Sequence, residues 1–197
     1  SVARPPGPHA CYDRSMGFCI FNNLAVAIEH CRQNHGVSGF LVLDFDVHHG
    51  NGTSSIFYHD PEVMYISIHQ DPRTLFPGTG FVAETGEGAG EGFNLNIPVP
   101  PGSGNDEYIW ILGEILPEVI RKIRPLMIFV SAGFDAHRSD PLASVEVDEL
   151  FFSWIGWFLH RTGAPGAVVL EGGYDPVALG KSNVSFLRAL EGEEPEG

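Results

Sequence analysis

Basic residues are scarce: 11 Lys and Arg stand against 25 Asp and Glu, a net charge of −14. So acidic a chain is a poor partner for nucleic acid, because phosphate is gripped by clustered Lys and Arg. Its long-range field favours cationic substrates instead, although part of the excess lies in the tail EGEEPEG, residues 191–197. Long apolar runs are missing too. No stretch approaches the roughly 18 consecutive apolar residues of a membrane-spanning helix, so no membrane partner is expected. The opening SVARPPGPHA holds no apolar signal core, and nothing there points to secretion. Cysteine is sparse. Cys11, Cys19 and Cys31 are odd in number and form no C-x-x-C pair, so they read as reduced thiols of a cytoplasmic chain.

What is present is the alternation of an α/β protein. The 197 residues suit one domain, large enough to bury roughly 70% of its unfolded surface. Apolar, β-branched runs at residues 40–45, 63–69, 93–99, 126–132 and 166–172 read as strands. Their near-continuous hydrophobicity predicts a mostly parallel sheet flanked by helices on both faces. Helices are expected at 22–34, 105–123, 146–161 and 176–190, the last opening with Pro176. Residues 70–92 are long and Gly-rich, as a functional loop would be. No linker divides the chain.

The chemically loaded stretches follow the strands at their carboxyl ends: DFDVHHGNG, SIHQD, SAGFDAHRSD and LEGGYD. In open α/β sheets that rim is where loops from different strands build a site. Asp46 and His48 are spaced i, i+2, which puts both side chains on one face if the extended geometry continues. Asp135, three residues past the strand ending near Ala132, offers a third ligand. An Asp/His/Asp set leaves room for water and substrate, as a catalytic zinc site requires. A D-x-H pair alone also fits two solvated turn residues, and Gly50-Asn51-Gly52 behind it reads as a tight backbone bend. His9 is a candidate base, though a lone His also serves structure. Gly172 and Gly173 before Tyr174 suggest close backbone approach to something.

Taken together, RPPGPHA, GFCIFNN, DFDVHHGNGT, SIHQDPRTLFPGTG, SAGFDAHRSDPL and LEGGY resemble the histone deacetylase family. The wording is closest to its class II and bacterial branch, which includes acetylpolyamine amidohydrolases. The resemblance implies the arginase–deacetylase fold and removal of acetyl groups from lysine or related amines. It implies that Asp46, His48 and Asp135 hold zinc, that His9 is the general base and acid, and that Tyr174 hydrogen-bonds the substrate carbonyl. Phe18 and Phe76 would wall an acyl-lysine tunnel with Leu142 at its rim, and the backbones of Gly17 and Gly172 would lie along the substrate. Asp44, Ser67 and Ile68, with backbone oxygens of Asp46 and His48, would hold a potassium ion; a second would sit near Phe57, Asp60, Val63 and Phe93. The expected substrate is an acetylated lysine peptide or an acetylated polyamine. A catalytically impaired acyl-lysine-binding module is the alternative.

Two departures from the family pattern bear on that expectation. Pro8 stands where the family usually has a first histidine, so Asp44 is expected to lose a partner and act mainly as a potassium ligand. His9 is expected to remain the base, with Asn51 orienting its far nitrogen. The first catalytic motif also opens the chain, which reads as a catalytic domain over residues 1–190 lacking the family's N-terminal portion, followed by the acidic tail 191–197.

Overall fold

The computed structural model describes residues 1–2 and 4–196. Its centre is a five-stranded, wholly parallel sheet: β1 (Phe40–Asp44), β2 (Val63–Gln70), β3 (Asn94–Val99), β4 (Met127–Ala132) and β5 (Gly166–Leu170), in the order β3-β2-β1-β4-β5. The chain therefore adds strands outward on one side of β1 and then crosses to the other. Register is fixed along the central strand, where Leu43 lies beside Ile66 of β2 and Val130 of β4, and Asp44 beside Ser67 and Ser131.

Strand periodicity divides the core. Leu41 and Leu43 face one layer with Ile66, Val130, Tyr108, Phe151, Phe152 and Phe186, whereas Phe40 and Val42 face the other with Tyr65, Phe129, Leu24 and Ile28. The first layer is built by α3 (Asn105–Trp110), α4 (Leu116–Ile123), α5 (Glu149–Thr162) and α6 (Pro176–Leu190). The second contains α1 (Asn23–His35) and α2 (Asn51–Phe57). Both faces are covered, as the hydrophobic strands demanded.

Helix ends follow local chemistry. The Asn22 side chain accepts from Ala25 N, and Gly36 closes α1 at φ 62°. Asp175 accepts from Ala178 N with Pro176 in the first turn of α6, where its missing N–H costs nothing.

Three expectations need correction. The helix expected over 105–123 is broken by a π-helical turn at Ile111–Ile115, in which Leu116 N reaches back to Ile111 O. Pro117 explains the break, since it cannot donate to Gly113 O and its ring crowds that carbonyl. The helix expected from 146 begins at Glu149, because Glu146 N and Val147 N are already bonded to Ser103 O and Ala136 O and Asp148 supplies the cap. Gly50-Asn51-Gly52, read as a tight bend, instead starts α2, anchored where Gly52 N and Thr53 N donate to Pro8 O. Of the loop expected over 70–92, Gln70 still belongs to β2 and the rest is irregular apart from a single 3₁₀ turn at Gly88–Gly90.

Candidate active site

The sheet reverses its winding between β1 and β4, and the loops leaving their carboxyl ends meet there, where such a fold places a ligand. Beyond β1 come Asp46 and His48; beyond β4 comes Asp135; beyond β5 come Glu171 and Tyr174. One ligand atom from each of Asp46, His48 and Asp135 lies within 4.8 Å of the others. His48 Nδ1 is 3.2 Å from Asp46 Oδ1 and 3.0 Å from Asp135 Oδ2. Adjacent ligands around tetrahedral zinc, with bonds of 2.0–2.1 Å, stand about 3.3 Å apart.

All three side chains are buried, and their outer atoms are fixed from behind. Val47 N donates to Asp135 Oδ1 at 2.9 Å, His48 N to Asp46 Oδ1 at 2.9 Å, and Gly172 N to Asp46 Oδ2 at 2.9 Å. Two carboxylates buried together repel. Burial and the neighbouring Asp46 charge push Asp135 upward. Burial opposes charge on His48, but its hydrogen bonds to Asp135 and Asp46 prevail and raise it to about 10. The protonated ring thus supplies positive charge that the carboxylates require. A divalent cation bound to neutral imidazole supplies the same compensation, so the donor set fits a metal.

Glycines make the packing possible. A Cβ on Gly172 would lie 2.1 Å from Asp135 Oδ2 and 2.6 Å from Asp46 Oδ2; one on Gly133 would lie 2.3 Å from Asp46 Oδ2. Gly17 has φ 55°, and a Cβ there would meet the His9 ring at 2.4 Å.

His9 is buried, its ring centroid 6.1 Å from that of His48. His9 Nδ1 lies 2.9 Å from Asn51 Oδ1, while Asn51 Nδ2 faces Met16 Sδ at 3.4 Å and Cys11 Sγ at 3.6 Å. That arrangement has Nδ1–H donate to Asn51 and leaves the Nε2 lone pair free. Burial lowers the His9 pKa, so the ring is neutral at pH 7. Phe76 lies beside His9, centroids 5.2 Å apart, and Phe18, at φ 64°, lies beside Tyr174, centroids 6.1 Å apart. Both phenylalanines and Leu142 are solvent-exposed. Tyr174 is half-buried, which pushes its phenol upward. Its backbone N donates to Asp140 Oδ2 at 2.7 Å, while Leu142 N donates to Asp140 Oδ1 at 3.0 Å.

Asp44, Ser67 and Ile68 are wholly buried. Asp44 Oδ2 accepts from the Tyr65 hydroxyl at 2.8 Å and Oδ1 from Asp46 N at 3.1 Å, so Tyr65 serves Asp44 although Pro8 cannot. Ser67 Oγ pairs with His69 Nδ1 at 2.8 Å. At the second expected potassium position, Asp60 is bound by Arg32 at 2.7 Å, and Phe93 O accepts from Tyr65 N at 2.9 Å.

Sequence reasoning left several contributors unassigned. His49 Nδ1 pairs with Thr79 Oγ1 at 2.8 Å, and His69 Nε2 donates to Gly80 O at 2.9 Å. These two rings, 4.9 Å apart, latch the loop that carries Phe76. The doubled histidine and the histidine of SIHQD were visible signals; their partners lie 30 and 11 residues away.

Residues 1–190 match the family described as the histone deacetylase domain. The chain is 76% identical over 196 residues to a probable deacetylase of Methanothermobacter thermautotrophicus, covering 100% of this chain and 59% of that protein. It is 40% identical over 197 residues to a histone deacetylase-like amidohydrolase of Pseudomonas aeruginosa, covering 98% and 52%. Among solved structures, an acetylpolyamine aminohydrolase from Burkholderia pseudomallei superposes with a TM-score of 0.91 at 37% identity, covering 96% of this chain and 55% of that one. The HDA15 HD domain gives 0.90 at 38% identity, covering 96% and 56%. The chain spans about half the length of the curated relatives it matches.

Proposed function

This chain belongs to the histone deacetylase domain family, and from that premise we propose that it carries the catalytic centre of a zinc-dependent amidohydrolase that releases acetate from N-acetylated amines. N-acetyl-lysine of proteins and acetylated polyamines are the proposed substrates. The matched histone deacetylase-like amidohydrolase and acetylpolyamine aminohydrolase support that class, as does the acidic balance of the chain. The observation that carries the reading is the meeting of the Asp46, His48 and Asp135 donors beside the His9 ring on one rim of the sheet.

Zinc held by Asp46, His48 and Asp135 would supply Lewis acidity, polarising the acyl carbonyl and lowering the pKa of water from 15.7 towards about 7. His9 Nε2 takes a proton as water attacks the amide carbon and delivers it to the departing amine. Asn51 holds the imidazole in the tautomer this needs. Tyr174 keeps its phenolic proton and hydrogen-bonds through it to the acyl oxygen as negative charge gathers there. Phe18 and Phe76 pack along the aliphatic stem of the substrate, with Leu142 at the rim and the backbones of Gly17 and Gly172 alongside. Asp44, Ser67 and Ile68, with backbone oxygens of Asp46 and His48, are assigned to a structural potassium ion. Residues 1–190 are taken as one catalytic unit with an acidic tail. The free cysteines support a cytoplasmic setting.

Metal analysis followed by acetate release from a fluorogenic acetyl-lysine peptide and an acetylpolyamine panel tests the proposal. Sustained turnover that zinc restores after chelation is expected; a zinc-loaded chain that cleaves neither class refutes it. Pro8 favours one second reading, an acyl-lysine-binding module that binds the same peptide without releasing acetate.

A further inference from the structure

Glu171 is a wholly buried carboxyl group that the mechanism above does not use. Its backbone N donates to Ala132 O at 2.9 Å, which extends the β5–β4 pairing by one residue beyond the strand. Its side chain turns towards a different part of the chain. Oε2 accepts from Gly7 N at 2.7 Å, across a sequence separation of 164 residues. Gly7 is two residues before His9, and Glu171 is three before Tyr174. The segments between are short and constrained. Gly172 N is spent on Asp46 and Gly172 O on Phe134 N, while Pro8 O receives both Gly52 N and Thr53 N. A Cβ on Gly7 would lie 2.8 Å from Asn23 N and 3.0 Å from Phe21 O, so Gly7 is pressed against the chain entering α1. Arg4 adds a parallel tie, Nη2 donating to Gly173 O at 3.3 Å.

We propose that Glu171 is a positioning residue that bolts the segment carrying His9 to the turn carrying Tyr174, fixing the distance between the two proton-handling side chains. The role rests on the functional reading given above for His9 and Tyr174; the bolt itself is a matter of backbone geometry. His9 is hung from the β1 side by α2 and from the β5 side through Gly7. Without the Glu171 bond, only the Arg4 tie and packing against the chain entering α1 hold the segment on that side, and His9 gains freedom to shift about Pro8. Productive proton transfer tolerates only about 0.5 Å of such freedom.

Among the described residues Glu171 Oε1 is buried without a hydrogen-bond partner, and burial, with Asp44 and Asp46 nearby, pushes the carboxyl up to about 9. Either protonation state accepts from Gly7 N, so the tie does not depend on titration. Glutamine has nearly the same shape and the same acceptor, whereas methionine fills the volume and offers none.

The test compares the zinc-loaded full chain as wild type, Glu171→Gln and Glu171→Met. Hydrogen exchange over residues 5–10 reads the bolt without any substrate, and kcat and KM on a fluorogenic acetyl-lysine peptide read its consequence. Glu171→Met is expected to exchange these amides at least roughly tenfold faster and to lose roughly tenfold or more in kcat, with KM and zinc content held. Glu171→Gln is expected to return both readouts to within about threefold of wild type. Wild-type exchange in Glu171→Met, or fast exchange in Glu171→Gln, overturns the proposal, and the glutamine arm decides even if the methionine variant does not fold. Exchange as expected in a wild-type chain that releases no acetate upholds the bolt and refutes the deacetylase reading.

Discussion

Substituting Gly172 by alanine adds one methyl group where the two carboxylates of the metal site converge. The new Cβ would lie 2.1 Å from Asp135 Oδ2 and 2.6 Å from Asp46 Oδ2. Ordinary contacts of this kind begin near 3.4 Å, so the shortfalls are 3.4 − 2.1 = 1.3 Å and 3.4 − 2.6 = 0.8 Å. Neither carboxylate is a loose side-chain end. Asp135 Oδ1 is held by Val47 N, and Asp46 by His48 N and by Gly172 N itself. The clash is therefore relieved by moving ligand oxygens about 1 Å, against the roughly 0.2 Å that a metal site tolerates. Disturbing the groups that merely orient a ligand already costs 10–100-fold in affinity. Gly172→Ala is accordingly expected to weaken zinc binding by about 100-fold or more, measured by competition with a chromogenic chelator. Gly180→Ala is the matched control. It makes the same chemical change inside α6 with no atom of the described residues within 4 Å of the new Cβ, and it should leave zinc affinity alone while raising stability by about 0.5–1 kcal/mol. Wild-type zinc affinity in Gly172→Ala would refute the reasoning that ligand oxygens converge on that backbone.

Tyr174→Phe should lower kcat on an acetyl-lysine peptide by roughly 10²–10³ while zinc content stays at the wild-type level; unchanged turnover removes the phenol from the chemistry. Asp140→Ala removes the acceptor shared by Tyr174 N and Leu142 N. It should reduce kcat by about tenfold and loosen the 139–143 and 172–175 amides in hydrogen exchange, and protection equal to wild type contradicts that tie. His69 is buried neutral, its pKa lowered by burial to about 4 from the ordinary histidine value of 6.5. Between those values the unfolded chain binds a proton that the folded chain refuses, so its stabilising share is full above pH 6.5 and is lost as pH falls towards 4. The loss should reach about 3 kcal/mol, read as a denaturant midpoint falling with pH in wild type more steeply than in His69→Gln. Parallel pH slopes in the two proteins contradict it.

How much of this was legible in the sequence differed by physical cause. The strands were readable because a parallel sheet covered on both faces needs continuous apolar runs, and Phe40–Asp44 and Met127–Ala132 supply them. The metal donors were readable because Asp46 and His48 extend a strand whose direction is known and Asp135 follows another. Helix α2 was not, because GNGTSSIF has neither helical periodicity nor strong formers. Its start is fixed by the carbonyl of Pro8, more than 40 residues earlier in the chain. The π-helical turn is a local compromise with Pro117 that period counting cannot resolve. The supporting groups were hidden for the same reason as α2: Glu171 with Gly7, His49 with Thr79 and Tyr65 with Asp44 are pairs made by the fold. Their residues stood in plain view within LEGGY, DVHHGNG and VMYISIH, but the residue types alone do not say which partner each will meet.

The central claim is that three side chains from two strand ends share one divalent cation, and diffraction tests it most directly. Crystals of the full chain grown with one equivalent of zinc, with data collected on both sides of the zinc absorption edge, should show a single strong anomalous peak. It should lie about 2.0–2.2 Å from a carboxylate oxygen of Asp46, from His48 Nδ1 and from a carboxylate oxygen of Asp135. A peak elsewhere, or none among these side chains at full zinc loading, would contradict the account.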